Sequence, residues 1–285
     1  MVVWTLKKAV DMLNLIDKQS KDMILDKINL KDTELRKWQD ISKKMNIVIS
    51  DDNILAQYDG YFDLKELDWE AYRKKYGNIS RMDRILKAEG KSADDYKVAK
   101  QADTLMTFYN LDAREVTNIL RDLSYPLPDD YLQKNLKYYL HRTSHGSTLS
   151  RVVHAQLANM VGDKQLSWEL YKDALTSDYQ DIQGGTTGEG IHCGVMAGTV
   201  LVALTSYLGL NFGSEKLKIS PILPAHWKKA NFNFNFQRNH YTFEVTPEYV
   251  KIMVDGSQEG PVDVVVCGKE YILHRGMWKE ISLQS

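Results

Sequence analysis

Polar and apolar positions along this chain follow two different periods. Val2, Val3, Leu6, Ala9, Val10, Leu13 and Ile16 recur at i, i+3, i+4 and i+7, which predicts an amphipathic helix from residue 2 onward. No Ser, Thr, Asp or Asn precedes it as a cap, and a cut in or beside a helix of a longer protein explains such a start directly. Leu35, Trp38 and Ile41 share a face behind Asp32 or Thr33 as the expected cap. A run through Val98, Leu105 and Phe108 follows Asp94 or Asp95. Val116, Ile119 and Leu123 follow Asp112, and Pro126 and Pro128 then interrupt. A helix after Ser147 carries Val152, Val153, Leu157 and Met160, and Gly162-Asp163 caps another with Trp168, Tyr171 and Leu175. The last helical pattern runs through Met196, Val200, Ala203 and Leu204; its small residues Gly194, Ala197 and Gly198 predict an inner, tightly packed helix. Helices recurring in pairs suit an α/α toroid or a bundle.

From residue 211 the period becomes two. Phe232, Phe234 and Phe236 alternate with Asn231, Asn233 and Asn235; Tyr241, Phe243 and Val245 alternate with Thr242, Glu244 and Thr246; Val250, Ile252 and Val254 repeat the pattern. Asp255-Gly256, Glu259-Gly260 and Cys267-Gly268 punctuate it. The expectation is an antiparallel β-module of about six or seven short strands with the Phe stripe in its core. The fold class is therefore mainly α with a C-terminal β-module, divided as 1–210 and 211–285.

Composition narrows this picture only slightly. Hydrophobic residues are 43% and charged residues 26%, with a formal net charge of -1. Such a chain offers no global field to nucleic acid or an anionic membrane, and neither is expected as a partner. Cys193 and Cys267 are too few and too scattered for a disulfide framework. No apolar run can span a bilayer, and the first residues lack a secretory pattern. A cytoplasmic protein is expected.

Three stretches concentrate chemistry. Thr143-Ser144-His145-Gly146-Ser147-Thr148-Leu149-Ser150 places hydroxyls and a glycine just before a helical run. Free backbone N–H groups and the helix dipole make such a place a ready anion site, although for this stretch alone an N-cap with extra polar residues is the more ordinary reading. Gly184-Gly185-Thr186-Thr187-Gly188-Glu189-Gly190-Ile191-His192-Cys193-Gly194 sets four glycines ahead of a helix, with Glu189 and His192 at its helical end. A histidine there is disfavoured as a cation unless an anion lies beside it; a structural turn with a satisfied histidine is the alternative. Lys100-Gln101, flanked by Ala99 and Ala102, is read either as a solvated helix face or as an inward pair. Asp59 and Asp63, among Tyr58, Tyr61 and Phe62, are compatible with sugar binding or with a surface turn, and stay unassigned.

Together these stretches resemble glycoside hydrolase family 65. His145-Gly146-Ser147-Thr148-Leu149-Ser150, followed by Val153-His154-Ala155, resembles the family's phosphate-loop motif, as does Gly188-Glu189-Gly190-Ile191-His192-Cys193-Gly194-Val195-Met196-Ala197-Gly198. Lys100-Gln101-Ala102-Asp103 resembles the Lys-Gln pair that contacts the glucosyl unit, and Pro221-Ile222-Leu223-Pro224 with Trp227 resembles the lead into the C-terminal β-domain. The resemblance implies part of an (α/α)₆ barrel followed by a small antiparallel β-sandwich. It also implies an inverting phosphorylase of α-linked glucose disaccharides, of the maltose, kojibiose, nigerose and trehalose phosphorylase type. In that reading Ser147, Thr148, Gly190 and His192 bind phosphate, and Lys100 and Gln101 hold the glucosyl unit or share the phosphate. Inorganic phosphate is the co-substrate, with no metal or organic cofactor.

The family's general acid is a Glu in a Gly-Pro-Asp-Glu-Tyr motif, which this sequence does not contain. No residue here is assigned as the catalytic acid, and the chain alone is expected to be inactive. An open face on part of a barrel predicts self-association, as a homodimer or through that face. Two other readings remain at this stage: an inverting hydrolase of the same fold, and a non-catalytic sugar-binding or partner module.

Overall fold

The computed structural model describes residues 1–101, 103–180, 188, 190–256 and 259–283. They form two compact units, Met1–Val153 and His154–Ser285. The boundary between the units falls inside one helix, α9 (Thr148–Met160).

The first unit is helical. α1 (Val2–Leu15) begins where the hydrophobic period begins and has no side-chain cap. It contacts α3 (Asp32–Lys44) and is tied to α7 (Ala113–Asp122) by Trp4 Nε1–H to Glu115 (3.2 Å) and by the Lys7–Asp122 and Lys8–Glu115 ion pairs. Asp32 is the first residue of α3, not its cap; Lys31 holds that position, and Asp32 and Glu34 face the positive helix end. Asp112 caps α7 as expected, accepting from Arg114 N–H. α2 (Lys18–Lys27) buries no residue, which explains why no hydrophobic period announced it. α4 (Trp69–Tyr76) and α5 (Met82–Ala88) enclose a small core of Leu67, Met82 and Leu86.

The helix expected behind Asp94 or Asp95 starts later than that. Ala93–Asp95 is a single 3-10 turn, and α6 (Asp103–Asn110) begins at Asp103. Between them Ala99 donates its N–H to Arg142 O (2.8 Å) and accepts from Ser144 N–H (2.8 Å), forming a parallel bridge with Thr143. Those bonds hold Ala99 in the bridge, with a bend at Lys100 and Gln101, and override the helical reading.

α8 (Tyr131–Leu140) is organised by polar groups as much as by apolar ones. Asn135, fully buried, accepts from Leu55 N–H (2.9 Å) and donates to Asn53 O (2.9 Å) and Tyr131 O (2.8 Å). Tyr139, also fully buried, donates its hydroxyl to Leu55 O. The loop at 53–55 thereby has its backbone groups satisfied by side chains of α8.

The second unit carries α10 (Lys164–Thr176), α11 (Cys193–Val202), a π-helical turn at Ala203–Tyr207 and the β-module. Asp163 caps α10, accepting from Leu166 N–H at 3.0 Å. α11 is not the tightly packed inner helix that its small residues predicted: Gly198 is buried, but Gly194 and Ala197 are exposed and nothing lies near a Cβ at Gly194. Its apolar composition is therefore not matched by burial within this chain.

Gly209 makes the change from helix to sheet. Its φ is +64°, and a Cβ there would lie 2.0 Å from Ser220 O, so only glycine fits. Two four-stranded sheets follow, ordered β1-β2-β6-β7 and β3-β4-β5-β8. The strands are β1 (Leu210–Asn211), β2 (Leu217–Ile219), β3 (Ala230–Phe236), β4 (Asn239–Val245), β5 (Tyr249–Gly256), β6 (Val262–Val266), β7 (Lys269–Leu273) and β8 (Lys279–Ser282). All pairings are antiparallel except β2 with β6, where the intervening β3–β5 meander serves as the crossover that a parallel pair needs. One core takes side chains from both sheets, including Leu217, Ile219 and Val264 from the first and Phe243, Ile252 and Ile281 from the second. Phe232, Phe234 and Phe236 pack on its margin, half-buried, with Phe232 stacked on Phe243 at 4.6 Å. Cys193 and Cys267 are free and exposed. Among the described residues no helix is long and apolar enough to cross a membrane.

Asn135→Ala is expected to lower stability by about 1–3 kcal/mol for each backbone group it leaves buried and unpaired. A shift of the urea unfolding midpoint measures this; an unchanged midpoint would show that the 53–55 loop does not depend on α8.

Candidate functional site

The predicted site residues fall in both units, and each set is described by itself. In the first unit the bridge between Ala99 and Thr143 brings Lys100-Gln101 alongside Ser144–Thr148. Arg142, next to the bridge, is held by Glu66 through Nε (3.1 Å) and Nη2 (3.0 Å), and Lys97 also reaches Glu66. Burial acts against the charge on Glu66, but the hydrogen bonds and charges of Arg142 and Lys97 win, and its carboxyl lies below the usual range. Thr143 donates its hydroxyl to Tyr139 O at 2.7 Å. The loop is thus fastened to α8 at the point where it turns toward α9.

Gly146 is the closest approach in this loop. A Cβ there would stand 2.5 Å from Ser80 O, 3.0 Å from Lys100 Cγ and 3.3 Å from Ser144 Oγ. The Ser80 carbonyl is backbone and cannot rotate away, so the position demands glycine. His145 before it has φ of 53°, and its ring Nδ1 lies 2.9 Å from Ser150 Oγ. Arg151 donates to His145 O at 3.3 Å. Ser147 is partly exposed and directly precedes α9; Thr148, the first helical residue, is buried. Backbone N–H groups at such a helix start have no intrahelical partner.

Charge around this loop is mixed. Arg81, adjacent to Ser80, pairs with Asp83 at 3.4 Å. Partial burial raises the Asp83 carboxyl, but Arg81, the Arg84 N–H and the Lys100 ammonium outweigh it and bring it below its ordinary value. Two cations, Arg81 and Lys100, thus act on one carboxylate beside the hydroxyl-bearing turn. Lys100 is exposed. It lies in a bend between the Ala99 bridge and α6, not on a helix face. Gln101 donates to Asp103 (3.0 Å), and Asp103 N–H donates to Gln57 (3.2 Å). Asp59 and Asp63 are exposed; Asp63 is the last residue of the 3-10 turn Tyr61–Asp63, whose Tyr61 is core, and Asp59 precedes it. That is a surface turn. Ala102 lies outside the described residues.

In the second unit His192 takes the N-cap position of α11, and its carbonyl accepts from Val195 and Met196. Its backbone N–H donates to Asp178 Oδ2 at 2.9 Å, and its Nδ1 lies 2.8 Å from Asp178 Oδ1. Gly190 is exposed with φ of +98°. Gly184, Gly185, Thr186, Thr187 and Glu189 lie outside the described residues. The histidine was legible in the sequence. Asp178 was not, because no spacing rule links residues separated by a loop of this length. Among the described residues no three His, Cys, Asp or Glu side chains gather as metal ligands.

Comparison with known proteins accounts for both regions. The profile described as the glycosyl hydrolase family 65 central catalytic domain matches residues 1–201, and that of the family's C-terminal domain matches residues 210–273. Together with the fold, the matches define a glycoside-processing enzyme class that joins a helical catalytic domain to a β-domain. The chain belongs to glycoside hydrolase family 65.

A trehalose 6-phosphate phosphorylase of Lactococcus lactis is 47% identical over 203 residues, covering 71% of this chain and 26% of that protein. An uncharacterized glycosyl hydrolase of Mycobacterium tuberculosis is 35% identical over 281 residues, covering 99% of this chain and 21% of its own length. The solved structure of a human-microbiome protein assigned as a kojibiose phosphorylase matches in fold, with a TM-score of 0.71 at 24% identity. It covers 98% of this chain and 38% of its own. The chain spans about a quarter of the length of the curated relatives it matches.

Gly146→Ala is expected to destabilise the chain by about 1–3 kcal/mol, because a backbone carbonyl blocks the added methyl. Gly194→Ala, whose methyl meets open space in a helix, is expected to be neutral or stabilising by up to about 1 kcal/mol. Unfolding midpoints of the two variants compare them directly; equal midpoints would remove the Ser80 contact from the argument.

Proposed function

We propose that this chain supplies the phosphate-binding and glucosyl-contacting residues of an inverting α-glucoside phosphorylase. Phosphate attacks the anomeric carbon on the face opposite the leaving sugar, while a carboxylic acid protonates the departing oxygen. Phosphate is already an anion, so no separate base is required to make the nucleophile from water. The protein's task is then to hold phosphate in line, through positioning and electrostatics. Ser147, Thr148 and His192 offer donors, and the backbone at Gly190 can approach an anion without a Cβ in the way. Lys100 and Gln101 hold the glucosyl unit. Inversion of an α-glucoside gives β-glucose 1-phosphate.

The observation that carries this reading is the turn at Gly146–Thr148. It is pressed against the Lys100 stem and the carbonyl of Ser80, the residue before Arg81 in sequence, and opens directly into α9. Such a turn joins hydroxyls, unpaired helix-start N–H groups and cationic side chains, a combination suited to an oxyanion. A second reading concerns the substrate. The Lactococcus relative, nearly half identical over most of this chain, is named for trehalose 6-phosphate, which favours a phosphorylated disaccharide over a neutral one.

His192→Ala and the pair Ser147→Ala/Thr148→Ala are expected to weaken binding of inorganic phosphate, at about 1.5–3 kcal/mol for each hydrogen bond lost, and to leave disaccharide binding nearly unchanged. Titrations with phosphate, trehalose and trehalose 6-phosphate separate the two effects. Unaltered phosphate binding would remove these residues from the site. With no acid motif to protonate the leaving oxygen, the 285-residue chain alone is expected to release no glucose 1-phosphate from maltose, kojibiose, nigerose, trehalose or trehalose 6-phosphate. Phosphate-dependent release that responds to His192→Ala would overturn that expectation.

A further inference from the structure

Asp178 follows α10 in a tight turn, where Gln180 N–H closes back on Thr176 O at 2.9 Å. Its side chain is 4% exposed, and the contacts described for it both go to one residue. Oδ2 accepts the backbone N–H of His192 at 2.9 Å, and Oδ1 meets His192 Nδ1 at 2.8 Å. A carboxylate accepts hydrogen bonds and does not donate them, so Nδ1 carries the hydrogen in this contact. Among the described residues nothing bonds Nε2, which is left for a solute on a side chain that is 35% exposed. His192 also stands at the N-cap of α11.

We propose that Asp178 is a positioning residue of the phosphate site. It fixes the His192 ring and its Nδ1–H form, so that Nε2 is presented to inorganic phosphate. The proposal rests on the phosphate reading of His192 given above. When Nε2 is protonated it donates to a phosphate oxygen; when it is not, it accepts from the hydroxyl of hydrogen phosphate. The ring points the same way in both cases, and phosphate binding itself makes and breaks no covalent bond. Gripping the backbone N–H and the ring of the same residue gives Asp178 control over both the start of α11 and the direction of the imidazole.

The test uses the 285-residue chain with ¹⁵N-labelled histidine, followed by two-bond proton–nitrogen NMR while inorganic phosphate is added. Neutral His192 is expected as the Nδ1–H form, with a phosphate-dependent shift at Nε2. In Asp178→Asn the carboxamide has a single acceptor oxygen for two donors. The backbone N–H keeps that oxygen, the amide NH₂ faces Nδ1, and the neutral ring switches to Nε2–H. Phosphate is then expected to bind about tenfold more weakly, the scale on which loss of an imidazole's orienting partner acts. Asp178→Glu, which keeps a carboxylate, is expected to retain the Nδ1–H form.

Finding the Nε2–H form in the unmutated chain would overturn the proposal without any variant. An equal phosphate response in the unmutated chain and in Asp178→Asn would overturn the positioning role and leave the phosphate reading intact. No phosphate response at His192 in either protein would overturn the phosphate reading, and the positioning role with it.

Discussion

Residues 98–100 and 142–144 are held together by backbone hydrogen bonds at 2.8 Å, and much of the first unit is arranged to keep them there. The bridge interrupts a stretch with helical pattern and delays α6 until Asp103. It also fixes where the hydroxyl-rich turn lies relative to Lys100. Arg142, held by Glu66, and Thr143, bonded to Tyr139 O, secure the bridge from the side of α8. α8 in turn depends on Asn135 and Tyr139, two buried polar side chains that satisfy the loop at 53–55. A buried polar network of this kind stabilises the fold only while every member is paired, so it specifies one arrangement sharply.

The same economy of space governs the turn itself. Gly146 lies where a methyl group would meet the Ser80 carbonyl. Backbone, a lysine stem and a serine hydroxyl crowd around a residue without a side chain, and Arg81 stands next to Ser80 in sequence. Against the cost of its partial burial, the Asp83 carboxyl is lowered by Arg81 and, to a smaller extent, by Lys100. In the second unit the same kind of problem is solved differently. His192 at a helix start is secured by a buried carboxylate instead of by crowding.

The β-module shows what a strong local pattern accomplishes. Alternation in β3, β4 and β5 carried straight into paired strands, because each inward side chain finds a partner across the register, as Phe232 does with Phe243. The parallel contact of β2 with β6 was not visible, since it joins strands separated by a whole meander. Helices with an apolar stripe, such as α1, α7 and α9, were equally legible. α2 buries nothing and α8 depends partly on buried polar groups, so neither announced itself by hydrophobic period.

By itself the sequence determined the class of the fold, the helix starts at Asp112, Ser147 and Asp163, and the residue types from which an anion-binding turn can be made. Those properties are local: they follow from spacing along one helix or strand, from caps, and from glycines between them. Only the tertiary structure decided that Lys100 belongs to a bend beside Gly146, that Asp59 and Asp63 lie at a surface turn, and that Asp178 grips His192. Each of these is a contact between residues far apart in the chain. No periodicity encodes such a contact, because it exists only once packing has chosen which loops meet.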